Sequence, residues 1–301
     1  MIRTENLTKV YHGTKAVDDI NIKIQKGQVC GFVGPNGAGK TTTIAMMTGL
    51  VEPTSGKCFV KDLEVSRHPL EVKRIIGYLP DGFGFYTHMT AVQNLKYFSK
   101  LYGLSESDAN TRIAELLDYV GLGNINKRTG AYSKGMKQRL GLARVLLNDP
   151  EIIFLDEPTS GLDPEGVMQF RRVIKDQAAK GKTIFFSSHI LDEVQHVCDS
   201  ICIISKGKIM AQGPMEEVKK QFTKAQGFTI IVKVNGTMPK LANPDIIEAA
   251  YHNGSATIKA KSDLRDFIAD EMAKNNLRLR ELRVEEESLE EVFLETVYRS
   301  S

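Results

Sequence analysis

The stretch Gly34-Pro35-Asn36-Gly37-Ala38-Gly39-Lys40-Thr41 has the spacing GxxxxGK[ST]. It stands between an apolar run, Gln28 to Val33, and a segment of helical character, Lys40 to Leu50. A glycine-rich turn between strand and helix lets backbone N–H groups face inward on a polyphosphate. Lys40 then supplies a point charge to the β- and γ-phosphates, and Thr41 a hydroxyl to Mg²⁺. The rival reading, a dinucleotide fingerprint, fails on spacing: Gly31, Gly34 and Gly37 run GxxGxxG, and no GxGxxG occurs in the chain.

Downstream, Ile152-Ile153-Phe154-Leu155 reads as a buried strand ending in Asp156-Glu157. Ligands of open α/β sheets bind outside the carboxyl ends of the strands, where these two acids fall. Asp156 can hold Mg²⁺, directly or through water, and Glu157 is then placed to orient or deprotonate a water that attacks the γ-phosphate in line. Taken alone, the pair could equally be an acidic strand end opening a turn into Pro158.

Composition narrows the class. The 301 residues are 42% hydrophobic and 26% charged, which excludes disordered, collagen-like and small disulfide-stapled chains. A net charge of +3 gives no default nucleic-acid or anionic-membrane surface, and the apolar runs fall far short of the ~20 residues that span a bilayer. The opening MIRTENLTKVYHG is polar where a signal peptide would be apolar, which predicts a cytoplasmic chain and leaves the Asn-x-Ser/Thr patterns at Asn6, Asn235 and Asn253 without weight. Cys30, Cys58, Cys198 and Cys202 contain no CxxC and read as buried reduced thiols. A zinc site from Cys198, Cys202, His189 and His196 has the wrong spacings.

Periodicity gives the organisation. Strands are expected at Gln28 to Val33, Ile152 to Leu155, Thr183 to Ser187 and Ser200 to Ile204. Helices are expected at Lys40 to Leu50, Thr90 to Tyr102, Asp108 to Val120, Gly135 to Leu147, Glu165 to Ala179 and Leu191 to Val197. Thr90-Ala91-Val92-Gln93 is a capping box. The block from Asp81 to about Leu147 is nearly all helical between alternating flanks, so it reads as a helical subdomain set into an α/β core. Its aromatics Phe83, Phe85 and Tyr86 are either exposed anchors of a docking surface or packed inside the insert.

After Gln221 the texture changes, and the charge with it: residues 1–221 carry 29 basic and 24 acidic side chains, residues 222–301 carry 11 and 13. Strands at Phe228 to Val234, Ile246 to Tyr251, Ser255 to Ala260 and Leu277 to Val284, with helices at Asp263 to Asn275 and from Ser288, predict a small α+β unit. His252-Asn253-Gly254 forms its hairpin turn.

These motifs together resemble the nucleotide-binding subunit of an ATP-binding-cassette (ABC) transporter over residues 1 to about 220. The resemblance rests on GPNGAGKTT, then Tyr132-Ser133-Lys134-Gly135-Met136-Lys137-Gln138-Arg139, then IIFLDEPTSGLD and SSH, in that order. It implies an α/β fold with a P-loop NTPase-type sheet core, the helical insert at about 81–147, and a small α+β accessory or dimerisation domain at 222–301. It also implies ATP bound by Tyr11, stacked on adenine, and by Gly34, Pro35, Asn36, Gly37, Ala38, Gly39, Lys40, Thr41 and Thr42. Mg²⁺ would be held by Thr41 and Asp156, with Asp81 a further oxygen donor.

Lys40, Glu157 and His189 would be catalytic, His189 touching the γ-phosphate and the attacking water. Ser133 and Gly135 would reach the ATP of a second subunit in trans, and Asp163 would carry communication between the two sites. Partners implied are a second ATP-binding subunit, in a homodimer, and an integral-membrane permease that holds the chain at the inner face of the cell membrane; nucleic acid is not expected. Two departures are visible. The family's LSGGQ has become YSKGM, and Asp81 stands where most members have Gln. Both variants, with Ser288-Leu289-Glu290-Glu291-Val292-Phe293, resemble the exporter branch.

A rival of another class is a soluble ABC-type ATPase switching on ribosomes or nucleic acid. Such chains carry two cassettes or a long coiled coil, whereas here one cassette is present and only 116 positions separate Lys40 from Asp156. A GTPase would want NKxD, and Asn126-Lys127-Arg128-Thr129 lacks the Asp.

Overall fold

The computed structural model describes residues 1–226 and 228–285. The chain divides into a first unit, Met1–Met215, and a second from Glu216 onward. In chain order the first unit opens with β1 (Ile2–Tyr11), β2 (Thr14–Ile20), β3 (Lys23–Ile24), β4 (Val29–Val33) and α1 (Lys40–Met47). There follow β5 (Ser55–Val60), β6 (Leu63–Glu64), α2 (Pro69–Ile75) and β7 (Ile76–Leu79). Three helices come next: α3 (Ala91–Leu101), α4 (Glu106–Tyr119) and α5 (Lys134–Leu146). The unit closes with β8 (Ile152–Leu155), α6 (Pro164–Ala179), β9 (Thr183–Ser188), α7 (Leu191–Gln195), β10 (Ser200–Ser205) and β11 (Lys208–Pro214).

Two sheets build this unit. The larger has the order β11-β10-β4-β9-β8-β7, parallel except for the antiparallel edge β11. Every residue of β4, β8, β9 and β10 is buried. That explains why they read as continuous apolar runs rather than alternating ones: both faces of a parallel sheet are covered. Phe185 anchors the packing, with ring centres 5.1 Å from Phe32 and 6.0 Å from Phe154. The smaller antiparallel sheet, β2-β1-β5-β6 with β3 also on β1, shares the core through Ile2, Leu7, Val17 and Val60.

The helices begin where the sequence signals say. Thr90 Oγ1 accepts from the Gln93 N–H and Gln93 Oε1 from the Thr90 N–H, so the capping box forms. Ser105, Ser133 and Asp163 cap α4, α5 and α6 with their side chains. The helix expected to reach Leu50 stops at Met47, because Gly49 takes a left-handed φ of 69° that ends the turn.

Phe83 and Phe85 follow the packed alternative, not the docking one. Both are half-buried, edge to face at 5.5 Å, with the Arg144 guanidinium 5.5 and 5.7 Å from their ring centres. They pack within the insert instead of standing out from it, and of the three aromatics only Tyr86 is exposed. The exposed apolar side chains nearby are Leu50 (57%) and Leu101 (66%). With Tyr102, Lys73 and Arg144 they border a groove of about 360 Å³ floored by Ile76, Tyr78 and Phe98.

Next, α8 (Met215–Gln226) carries the chain into the second unit, which holds β12 (Phe228–Val234), β13 (Ile246–His252), β14 (Ser255–Ala260), α9 (Arg265–Lys274) and β15 (Leu279–Glu285). Its antiparallel sheet runs β13-β14-β12-β15, and Ile268 and Met272 of α9 close a separate small core over Ile230, Val232 and Ile258. The helix expected from Ser288, with its SLEEVF segment, lies outside the described residues.

Candidate active site

Four parallel strands end at one edge of the large sheet, and each delivers a piece of the site. The phosphate loop leaves β4, Asp81 follows β7, Asp156 and Glu157 follow β8, and His189 follows β9. In α1 the N-cap is Gly39, which takes a φ of 105° that only glycine adopts freely and has no side chain to cap the helix. No acid sits in the first turn of α1 either. Its opening amides, which include those of Lys40, Thr41 and Thr42, therefore offer donors and the positive end of the helix dipole to an outside anion.

Lys40 is buried and turned back on its own loop, where Nζ donates to the carbonyls of Gly34 (2.7 Å) and Pro35 (3.1 Å). It also lies 3.1 Å from Glu157 Oε1, at ion-pair distance but without the alignment of a hydrogen bond. The other oxygen, Glu157 Oε2, is 2.7 Å from His189 Nδ1. The structure thus brings Lys40, Glu157 and His189 together.

Asp156 is fully buried. Oδ1 accepts a 2.6 Å hydrogen bond from Ser187 Oγ, while Oδ2 is buried without a partner. Burial pushes its carboxyl above the ordinary range. Hydrogen bonds from Ser187 and Thr41 oppose that shift, and the charges of Glu157 and Asp81 reinforce it. An isolated carboxylate in such a place is costly unless paired or bound to a metal. With the orphaned Oδ2 of Asp156, a hydroxyl from Thr41 and Asp81 nearby, the donor set is all oxygen, which suits Mg²⁺.

Sequence reasoning missed Ser187. Its hydroxyl donates to Asp156 and accepts from the Glu157 N–H at 2.9 Å, while Glu157 holds a left-handed φ of 47° that is strained for a side-chain-bearing residue. One hydroxyl therefore fixes both acids, and the only signal was its place beside His189 in SSH.

The remaining candidates make no hydrogen bond or ion pair with this cluster. Tyr11 ends β1 beside the Tyr11–Thr14 pairing, 42% exposed, with Lys9 Nζ 5.2 Å from its ring centre. Ser133 Oγ caps α5 by accepting from the Met136 N–H at 3.2 Å, and Asp163 Oδ1 caps α6 through the Gly166 N–H at 2.8 Å. Ser133, Gly135, Gly161 and Asp163 line a polar hollow of about 290 Å³ to which no phosphate-loop residue contributes. Within one chain, then, the signature segment and the phosphate loop do not share a pocket.

Residues 17–160 match the family model described as ABC transporter, and residues 213–297 match that of the C-terminal domain of DrrA1-3-like ATP-binding proteins. The bacitracin transport ATP-binding protein BcrA of Bacillus licheniformis is 37% identical over 300 residues, covering 99% of this chain and 97% of that protein. The chain belongs to the ATP-binding subunits of ABC transporters. It is an ATPase, and its hydrolysis of ATP is coupled to transport.

The linearmycin resistance ATP-binding protein LnrL of Bacillus subtilis is 32% identical over 320 residues, covering 100% of this chain and 99% of that one. Among solved structures, the dimeric structure of MJ0796, a bacterial ABC transporter cassette, superposes with a TM-score of 0.67 at 25% identity, over 71% of this chain and 99% of its own. None of the helices among the described residues is long and apolar enough to cross a membrane.

The raised carboxyl of Asp156 has a measurable consequence. A folded-state value above the ordinary 3.8 means that the ligand-free chain loses stability as pH rises through that interval, and carries the deficit at neutral pH. Asp156→Asn should therefore raise the melting temperature of the ligand-free protein at pH 7 by about 2–4 °C, and flatten its decline from pH 4 upward. Thermal melts across pH check this. A variant that melts below the native chain at pH 7 would contradict the assigned burial cost.

Proposed function

We propose that two copies of this chain close around two molecules of MgATP, each held by the phosphate loop of one copy and the signature segment of the other, and that the pair powers export through an integral-membrane permease. One observation carries the reading: at the end of β8 the buried Asp156 keeps Oδ2 without a partner, beside a Glu157 whose Oε1 meets only Lys40 at ion-pair distance, next to a helix start that no side chain caps. Support for pairing comes from the separation of the Ser133 hollow from the Lys40 site, and from the dimeric cassette of like fold. The export direction rests on relatives named for bacitracin transport and linearmycin resistance.

In this reading the phosphate loop, residues 34–42, and Lys40 bind the phosphates. The donors are loop amides other than those of Gly34 and Ala38, which are bonded to the Ser188 and Pro35 carbonyls, and Lys40 exchanges the carbonyls of Gly34 and Pro35 for phosphate oxygens. That exchange frees Glu157 Oε1 to take a proton from the attacking water. His189, through Nδ1 on Oε2, holds the carboxylate in line and keeps its other ring nitrogen for the γ-phosphate. Thr41 and Asp156 would hold Mg²⁺, with Asp81 in support, and the ion would neutralise charge between the β- and γ-phosphates. Tyr11 offers its exposed ring to adenine. Ser133 and Gly135 serve the partner's ATP, and Asp163 transmits its state. Residues 222–301 carry none of the nucleotide-binding motifs and are assigned to pairing. The chain sits at the inner face of the membrane through its permease.

Glu157→Gln keeps size and removes the base. It is expected to bind MgATP and to turn over about 10²- to 10⁴-fold more slowly. Light scattering should show the variant as an ATP-dependent dimer. Native turnover in steady-state assays would remove Glu157 from this role.

The permease is assigned to the groove bordered by Leu50, Leu101 and Tyr102. Apolar side chains this exposed at a concave site mark an interaction surface. Leu50→Ser with Leu101→Ser should move the chain from the membrane fraction to the soluble fraction while leaving its own ATPase rate within about twofold, since surface changes alter stability little. Retention on membranes by the double variant would place docking elsewhere.

A further inference from the structure

The turn that follows Glu157 is held from two sides by buried side chains that have no part in the reading above. From α5, Gln138 Nε2 donates a 2.6 Å hydrogen bond to the Pro158 carbonyl. From α7, the buried Glu193 accepts at Oε2 from Thr159 Oγ1 (2.6 Å) and from Ser188 Oγ (2.7 Å), the residue before His189. Proline has no N–H, so its carbonyl is the one backbone group through which Pro158 can be held, and Gln138 is itself buried where no water competes for the bond. The strained φ of 47° at Glu157 adds the reason for such holding. A left-handed backbone at a side-chain-bearing residue persists only where its surroundings over-determine it. Ser187 fixes the N–H of Glu157, and Gln138 fixes the carbonyl of the next residue.

We propose that Gln138 is a positioning residue for hydrolysis: through the Pro158 carbonyl it sets the backbone of Glu157, and with it the aim of the carboxylate. Glu193 is the opposite anchor, tying the same turn to the strand end that bears His189. The inference rests on the reading of Glu157 as the base. Gln138 sits on the helix that Ser133 caps, so one rigid element carries both the signature segment and the grip on Glu157.

The test compares the full chain with Gln138→Leu, which cannot donate, and Gln138→Glu, which donates to the Pro158 carbonyl only when protonated. ATP is the probe throughout. Gln138→Leu is expected to lower kcat about tenfold with KM within about twofold, the size of one lost buried hydrogen bond. Added to Glu157→Gln, it should cause no further loss in single-turnover assays, because it acts through Glu157. The ratio of Gln138→Glu turnover to native turnover should climb as pH falls from about 8 to 6, while the Gln138→Leu ratio stays flat.

Native kcat in Gln138→Leu, or equal losses with and without the Glu157 carboxylate, would overturn the proposal. Should Gln138→Leu fail to fold in thermal melts, the Gln138→Glu ratio decides alone, a rising one supporting the proposal and a flat one overturning it. Native turnover in Glu157→Gln would instead sink the reading of the base. A slow Glu157→Gln beside a native Gln138→Leu would sink only this inference.

Discussion

Asp156 is fully buried at the end of one interior strand with the half-buried Glu157 next to it in the chain, and no strand can hold such a pair by itself. Desolvation, reinforced by the charges of Glu157 and Asp81, acts against the charged form of Asp156. The fold answers with Ser187 from β9, Lys40 and Thr41 from the phosphate loop, and His189 beyond β9, so three strand ends are needed to make one site tolerable. The answer is incomplete at Asp156 Oδ2, which has no partner. That residue of unmet electrostatics is what a cation and a polyphosphate would complete, and it couples the stability of the empty chain to its ability to bind.

Rigidity around the acids follows from the same constraint. The parallel strands are buried on both faces, and the aromatic contacts of Phe185 lock β4, β8 and β9 in register beneath the site. The turn after Glu157 is pinned by Gln138 and Glu193 from elements far off in sequence. Of α1, α3, α4, α5 and α6, α1 is the one that opens without a side-chain cap, and it is the helix that the phosphate loop leads into. Capping there would satisfy donors that a phosphate can otherwise claim.

What could be read from the sequence was local. The Gly39-Lys40-Thr41 turn, the IIFL run before Asp156 and the Thr90 capping box each carry their physics within a few residues, and each stands where expected. Strand β1 escaped because its pairing is broken by register shifts near Leu7 to Lys9 and by left-handed backbone at Asn6, which spoil the period of two. Edge strand β11 escaped because it alternates exposed and half-buried residues with little apolar content. Gln138, Ser187 and Glu193 meet partners 20 to 34 positions away, and nothing beside them in the chain announces those partners. Phe83 and Phe85 stayed open between anchor and packed core because the sequence could not show that Arg144 lies over both rings.

Asp156, with Oδ2 left without a partner, is the proposed seat of the metal that accompanies ATP. Calorimetric titration of ATP into the full chain, with and without Mg²⁺, tests it most directly when native protein and Asp156→Asn are compared at pH 7. The account predicts that Mg²⁺ tightens ATP binding by about tenfold or more in the native chain, the scale of a lost metal contact, and leaves the variant unchanged. Equal tightening in both would contradict it.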